Sequence, residues 1–297
     1  MALFPACRPG NDEARRLTAS CDGGDLQACD QLAQKLLTGD YILRDAPRAA
    51  VLLQQACYAR VAVACPRLGV LYQAGRGVKR DSVRARDLFQ RGCDGSAMEG
   101  CARLGLLYRR GAGVEKDVVR ATSFFEQSCT GKSMLGCAHF AEQLAAGEGT
   151  TQDYERAAGY FRESCEAKIP AGCVGLGLLH ASGTGVEKND SVAVSYYLKT
   201  CSAQMDYDLR DPAGCFQLAR SYETGAGVPQ NFERAAARYS NACDRGSGHG
   251  CLGLADLHRK GAGIYRDTVR ATQLTRRACT LGVTEVCPRP APPRQTS

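Results

Sequence analysis

A short apolar stripe recurs along the chain, usually at a spacing of 36 residues. In each copy a large apolar residue is followed directly by Ala or Gly, and in three copies a Tyr follows one helical turn later. Such spacings place the side chains on one face of an α-helix. The pattern predicts seven helices of this type, named helix A here, which contain Leu32, Leu68, Leu104, Phe140, Leu176, Leu218 and Leu254.

Each helix A is expected to end at a glycine, which can adopt the left-handed conformation of a helix C-terminus. These glycines are Gly39, Gly75, Gly111, Gly147, Gly183, Gly225 and Gly261. A second helix, helix B, is predicted to follow Asp or Asn, whose side chains cap the first turn. The predicted caps are Asp45, Asp81, Asp117, Asp153, Asn189, Asn231 and Asp267. An alanine four residues after every cap predicts that another backbone approaches closely there: Ala49, Ala85, Ala121, Ala157, Ala193, Ala235 and Ala271.

A period near 36 residues with two helices per unit is typical of tetratricopeptide-type superhelices. One copy of the motif contains Leu104–Gly105, Tyr108, Gly113–Val114, Asp117 and Ala121. This motif resembles the Sel1-like repeat family. The paired cysteines make it similar to the Helicobacter cysteine-rich proteins and, more loosely, to the mitochondrial Sel1-repeat cytochrome c oxidase assembly factor. The resemblance implies an all-α, right-handed α/α superhelical solenoid of about seven helix pairs.

The predicted organisation has three parts: a flexible N-terminus at 1–10, a solenoid at 11–287 and a disordered tail at 288–297. The solenoid opens with a half-repeat near Asn11–Cys21 that acts as a cap. Six extra residues between Cys201 and Cys215 enlarge one loop. That loop is either a tolerated insertion or a binding element.

Sixteen of the 17 cysteines fall into eight pairs, seven of them with seven residues between the two thiols. The first cysteine is expected to end helix B and the second to open the next helix A. In a tight helical hairpin the two thiols come within disulfide reach, so we expect one disulfide per repeat. Zinc is the alternative, but its usual short Cys spacing is missing from the sequence. No metal site and no cofactor is therefore predicted. The pairs are Cys21 with Cys29, Cys57 with Cys65, Cys93 with Cys101, Cys129 with Cys137, Cys165 with Cys173, Cys201 with Cys215, Cys243 with Cys251, and Cys279 with Cys287.

Disulfides persist in oxidising compartments, which predicts a periplasmic, cell-surface or secreted protein. The mitochondrial intermembrane space is the alternative. The unpaired Cys7 follows Leu3-Phe4-Pro5-Ala6 and could be the lipidated residue of a truncated lipoprotein signal or a stray thiol. No apolar run approaches the roughly 18 residues that span a membrane.

Catalytic patterns are not found in the sequence. His180 and His258 stand in the helix A position of the tyrosines, which predicts a core role, and His249 stands in a junction loop. The resemblance to the Helicobacter proteins suggests binding or weak hydrolysis of β-lactam or peptidoglycan-related ligands, but the serine β-lactamase motifs are missing from the sequence. The mitochondrial relative suggests haem or metal handling as a second alternative. A net charge of +7 with interspersed acids does not favour nucleic-acid binding.

Polar residues vary at the positions two, five and nine residues past the second cysteine of each pair. In tetratricopeptide-like arrays helix A lines the concave face, so these side chains predict a groove for a protein or peptide partner. An ordinary solvated face is the alternative. We therefore expect a non-enzymatic scaffold whose binding residues are Arg67, Arg103, Arg110, His139, Glu142, Gln217, Arg220, Asp256 and Lys260.

Overall fold

The computed structural model describes residues 9–40, 42–201 and 212–287. These residues form fifteen α-helices and a 3₁₀ turn at Thr284–Val286, without a strand in the described part. Helix α1 is Pro9–Asp22. The A helices are α2 Leu26–Thr38, α4 Ala64–Ala74, α6 Met98–Arg110, α8 Met134–Ala146, α10 Pro170–Ser182, α12 Pro212–Thr224 and α14 Gly248–Lys260. The B helices are α3 Ala46–Tyr58, α5 Ser82–Asp94, α7 Val118–Thr130, α9 Tyr154–Glu166, α11 Asp190–Cys201, α13 Phe232–Asp244 and α15 Thr268–Thr280.

The predicted all-α array of seven helix pairs behind a half-repeat is confirmed. Helix α1 begins at Pro9, two residues before the predicted start of the solenoid. The predictions for the first eight residues with Cys7, for the loop at 202–211 and for the tail at 288–297 lie outside the described residues.

In seven of the eight pairs the second cysteine is the second or fourth residue of a helix A, so it lies in the first turn and is not the residue at which the helix begins. Cys287 of the eighth pair follows the 3₁₀ turn. Cys29, Cys173 and Cys251 each lie three residues after the first residue of their helix. Cys65 is the second residue of α4. All four cysteines are buried, with at most 2% of their surface exposed. Among the described residues, three A helices have a side-chain cap before the first turn, at Asp25, Ser133 and Ser247. The Asp25 side chain accepts hydrogen bonds from two N–H groups of α2.

Local capping explains why each helix begins and ends where it does. Every predicted Asp or Asn cap accepts a hydrogen bond from the backbone N–H three residues on, as Asp117 does from Arg120 at 2.9 Å. All seven predicted C-terminal glycines have a positive φ, between 68° at Gly111 and 82° at Gly39. Such a φ costs glycine little because it has no Cβ.

Close packing between helices of a pair follows from the small residues. The seven alanines after the caps are all buried. A Cβ built on Gly105 would lie 3.0 Å from the Ala121 carbonyl oxygen and 2.5 Å from the Phe125 ring. The prediction of a close backbone approach is thus correct, and the aromatic ring of helix B fills the remaining space.

Eight disulfides join the predicted cysteine pairs. Seven of them link the end of one helix to the first turn of the next helix A, and the eighth links the end of α15 to the residue after the 3₁₀ turn. Their Cα–Cα distances run from 4.3 Å to 5.1 Å. The prediction of one disulfide per repeat is confirmed. The many disulfides indicate an oxidising, extracytoplasmic compartment. The bonds join Cys21 to Cys29, Cys57 to Cys65, Cys93 to Cys101, Cys129 to Cys137, Cys165 to Cys173, Cys201 to Cys215, Cys243 to Cys251, and Cys279 to Cys287.

The chain divides into two compact units, residues 1–152 and 153–297, called unit 1 and unit 2 below. Within each unit every helix packs on the next one along the chain, so the core lies between consecutive helices. Among the described helices, none combines the length and apolar character that a membrane crossing requires.

Candidate functional site

Three consecutive A helices contact one another within each unit. In unit 1 helix α6 contacts both α4 and α8, and in unit 2 helix α12 contacts both α10 and α14. The described B helices of either unit do not approach one another as closely. The A helices therefore lie on the inner side of each stack, and the predicted binding residues belong to them.

Arg67 spans two repeats of unit 1. Its guanidinium forms an ion pair with Asp30, and Asp30 also accepts a hydrogen bond from Gln34 at 3.3 Å. Asp30 is 5% exposed, and its Oδ1 atom has no hydrogen-bond partner within the described part of the chain. Removing Arg67 would leave the buried Asp30 carboxylate without its partner, which is costly. Arg67 therefore stabilises the fold and is not free to bind a ligand.

Arg103 is also held by an acidic neighbour. Its guanidinium lies 2.9 Å from the Glu99 carboxylate on the same helix. Pairs of this kind on a helix surface contribute only about 0.3–0.5 kcal/mol, so a ligand could compete for Arg103.

His139 and Glu142 belong to a third cluster in unit 1. His139 is 8% exposed, its ring lies 5.2 Å from the Phe125 ring, and its Nδ1 lies 3.1 Å from a Glu142 oxygen. Glu142 also pairs with Arg109 from the preceding repeat. Burial would raise the pKa of the Glu142 carboxyl, but His139 and Arg109 outweigh it and hold that pKa below its ordinary value.

The helix A position two residues past the cysteine thus faces inward in several repeats. A Cβ on Gly175 or Gly253 at this position would meet the ring of Phe161 or Tyr239 from the preceding helix B. The residues at this position vary freely along the sequence. In three repeats, however, the position lies against an aromatic ring of helix B, at His139, Gly175 and Gly253.

Unit 2 has an open cavity on its A-helix surface. The cavity measures about 340 Å³ and lies among α10, α11 and α12. It takes in two predicted binding residues, Gln217 and Arg220. Its other lining residues include Leu178, Ser182, Asp190, Tyr197, Ser221 and Thr224.

Arg220 is the exposed cation of this cavity. No carboxylate of the described residues lies within ion-pair distance of it. Burial raises the pKa of the Tyr197 hydroxyl to about 12, an effect that Arg220 opposes and Asp190 reinforces. The cavity therefore offers a guanidinium, a carboxylate and hydroxyl groups around an apolar floor.

The remaining predicted residues lie elsewhere on the A helices. Arg110 in unit 1 and Lys260 in unit 2 are exposed. Asp256 forms an ion pair with Arg259 one turn along α14. Within the described part of either unit, no single site unites these residues.

The residues predicted from the sequence do not include an arginine that recurs in helix B. Three residues after the cap, this arginine lies over the helix A tyrosine at 5.6–5.7 Å from the ring centroid, a cation–π geometry. The signal was present in the sequence, because Arg recurs at this position in six of the seven repeats. The pairs are Arg84 with Tyr72, Arg120 with Tyr108, and Arg234 with Tyr222.

The two histidines in the tyrosine position are half-buried and bind loop carbonyls. His180 Nδ1 lies 3.0 Å from the Glu187 oxygen, and His258 Nδ1 lies 3.2 Å from the Tyr265 oxygen. The predicted core role is wrong for these two rings, because each is only half-buried and contacts a loop carbonyl. Over residues 9–40, 42–201 and 212–287, no three His, Cys, Asp or Glu side chains are grouped as metal ligands would be.

The Sel1 repeat matches the chain at residues 26–60, 62–96, 99–133, 135–168, 170–204, 212–247 and 248–283. No protein of curated function matches it in sequence.

Many solved structures are similar to the chain, including the following three. The Sel1 repeat protein from Oxalobacter formigenes is 21% identical with a TM-score of 0.56, over 95% of this chain and 80% of that chain. The uropathogenic Escherichia coli protective antigen c5321 is 22% identical with a TM-score of 0.53, over 92% of this chain but only 57% of its own length. The Helicobacter pylori cysteine-rich protein B is 21% identical with a TM-score of 0.35, over 44% of this chain and 93% of its own. At these identities the first two likenesses show the fold alone.

Proposed function

Because this chain belongs to the Sel1 repeat family, we propose that it is a non-enzymatic scaffold that binds a protein partner through its A-helix surface. The family resemblance read from the motif is confirmed by the seven matched repeats. Sel1 repeats build scaffolds that commonly mediate protein interactions. That this chain binds a protein partner, and that it does so through its A-helix surface, is our proposal.

The unit 2 cavity is the observation that carries the proposal. Two predicted binding residues, Gln217 and Arg220, line an open space there. Leu178 beside them is 42% exposed, an unusual setting for a large apolar side chain on this surface. An extended peptide could place an apolar side chain on Leu178 and an acidic group on Arg220.

The disulfides support a partner in an extracytoplasmic compartment. Among such compartments, a bacterial periplasm, the cell surface and the medium are the ones that we propose, with a mitochondrial intermembrane space as the alternative. A lipid anchor at Cys7 would hold the protein at a membrane, and its partner would then be found there. Mass spectrometry of the native N-terminus would detect the added lipid.

A site-directed cross-linking experiment tests the proposal. A photo-reactive amino acid at Gln217 should capture a partner from an extracytoplasmic extract, whereas the same group at Arg276, exposed on helix B of unit 2, should not. Arg220→Glu should weaken binding of the captured partner by at least about tenfold, or 1.4 kcal/mol. Equal capture from both positions would refute the proposed site.

Charge reversal at Arg67 is a poor test of the same idea. Arg67→Glu would leave the buried Asp30 carboxylate beside a second carboxylate, and the loss of folding stability would mimic a loss of binding. Arg110→Glu is the suitable unit 1 variant because that side chain is exposed.

A further inference from the structure

Unit 1 contains a cavity between its B helices. It measures about 490 Å³ and lies between α3 and α5, against α4. Leu68 and Leu88 form a buried floor, and the half-buried Tyr72 forms one wall. None of the predicted binding residues is among the described residues that line it.

The cavity has a specific origin in the sequence. In the next repeat Phe124 stacks on Tyr108 with ring centroids 5.6 Å apart. In unit 2 a tyrosine stacks on the corresponding histidine in the same way at 5.9 Å. Leu88 stands at the corresponding position of the second repeat and has no ring. The space beside Tyr72 is therefore the space that an aromatic side chain occupies in those repeats.

The rim of the cavity is basic and aromatic. The Arg91 guanidinium lies over the Tyr58 ring at 4.8 Å from the centroid, and Tyr58 is 62% exposed. Both residues also line an adjoining cavity of about 460 Å³, which includes Arg60.

The charges around the two cavities favour an anion. Three guanidiniums, those of Arg60, Arg84 and Arg91, line them together with one carboxylate, that of Asp87. Asp87 already pairs with Arg86 at 2.8 Å, and Arg84 pairs with Asp81 at 3.4 Å. Arg60 and Arg91 are the two of these arginines with no carboxylate in ion-pair distance among the described residues. Arginine forks suit carboxylates, which they can bind through two hydrogen bonds.

We propose that this cleft, formed by Tyr58, Tyr72, Arg84, Leu88 and Arg91, binds an acidic segment of a partner protein by taking up one aromatic side chain beside Tyr72. The partner's aromatic ring takes the place that Phe124 of helix B takes in the next repeat. Carboxylates on either side of that ring in the partner bind the rim arginines. A polyanion without a ring would meet the charges and leave the cavity empty. The cleft is thus a second protein-binding surface, independent of the unit 2 cavity.

A tryptophan-containing peptide is the direct probe, because the chain has no Trp of its own. A short peptide with one Trp between Asp and Glu residues should show a saturable change in Trp fluorescence when the protein is added. The same peptide with Ala in place of Trp should fail to compete. Equal competition by the Ala peptide or by a sulfated polysaccharide would overturn the proposal, since charge alone would then explain binding.

Matched variants locate the binding. Leu88→Phe introduces a side chain that the chain tolerates at this repeat position and should weaken peptide binding by at least about tenfold. Leu274→Phe makes the same change at the equivalent position of the last repeat and should leave binding unchanged.

Arg91→Gln replaces an exposed residue and should also weaken binding, whereas Arg277→Gln at the equivalent position should not. Peptide binding that survives Leu88→Phe and Arg91→Gln would overturn the proposal. Arg220→Glu should leave peptide binding intact, so failure of the unit 2 site and failure of this cleft are distinguishable.

Discussion

Gly177 provides a sharp test of how the helix pairs pack. A Cβ built on it would lie 2.5 Å from the Tyr197 ring and 3.2 Å from the Ala193 carbonyl oxygen. The oxygen belongs to the backbone and has little room to move, whereas the ring is buried but lines the unit 2 cavity, into which it can shift only by giving up its packing. Overpacking of this kind costs about 1–3 kcal/mol. Against it stands the gain of about 1 kcal/mol that Ala brings over Gly within a helix.

Gly159→Ala supplies the matched control in the same unit. Gly159 lies within α9, and a Cβ on it would meet nothing within 4 Å. The helix-forming gain is common to both variants, so the difference between them isolates the packing cost. We expect Gly159→Ala to raise the free energy of unfolding of unit 2 by about 0.5–1 kcal/mol. The free energy of unfolding of Gly177→Ala should be lower than that of Gly159→Ala by about 1–3 kcal/mol.

Thermal unfolding of the oxidised protein, followed by circular dichroism, measures the difference. For a unit of this size about 1 kcal/mol corresponds to roughly 2–4 °C in the Tm of unit 2. Equal Tm values for the two variants would refute the close approach of α10 and α11.

Three further outcomes are expected. Replacing Cys93 and Cys101 together by Ser should lower the urea midpoint of unit 1, because the chain-entropy model assigns about 2.5 kcal/mol to so short a loop; an unchanged midpoint would contradict the stapling role. Asp117→Ala should cost about 1 kcal/mol in denaturant unfolding through loss of the α7 cap, and Asp117→Asn should recover most of it. Burial raises the pKa of Tyr197 to about 12, so between pH of about 10 and 12 this tyrosine ionises in the unfolded chain but not in the folded one. Unit 2 should therefore lose stability over that pH range. Tyr197→Phe should reduce that loss when unfolding is measured at a series of alkaline pH values.

The repeat frame was readable from the sequence because each of its elements depends on neighbours within a few residues. The cap at Asp117 binds an N–H three residues on, and the left-handed turn at Gly111 depends on that residue's own backbone. The paired cysteines were readable for the same reason, since the two ends of a tight hairpin meet wherever the hairpin lies. The arginine that lies over Tyr108 could have been found in the same way.

The binding surfaces depended on residues that the sequence places a repeat apart. Arg67 meets Asp30, and Arg109 meets Glu142, so residues that look equally free along the chain differ in what they can offer a ligand. His139 turned inward for the same reason, because its surroundings come from helix α7 as well as from its own helix.

The sequence by itself determined the helices, their caps, the period and the cysteine pairing, because these follow from local hydrogen bonding and chain geometry. Only the tertiary structure decided where space remains between the helices. A cavity is a property of several side chains at once: Leu88 leaves one beside Tyr72 since no neighbouring residue fills it, and the unit 2 cavity opens where three helices meet around Arg220. The pattern of one repeat specifies its fold, but the volume left beside it depends on its neighbours.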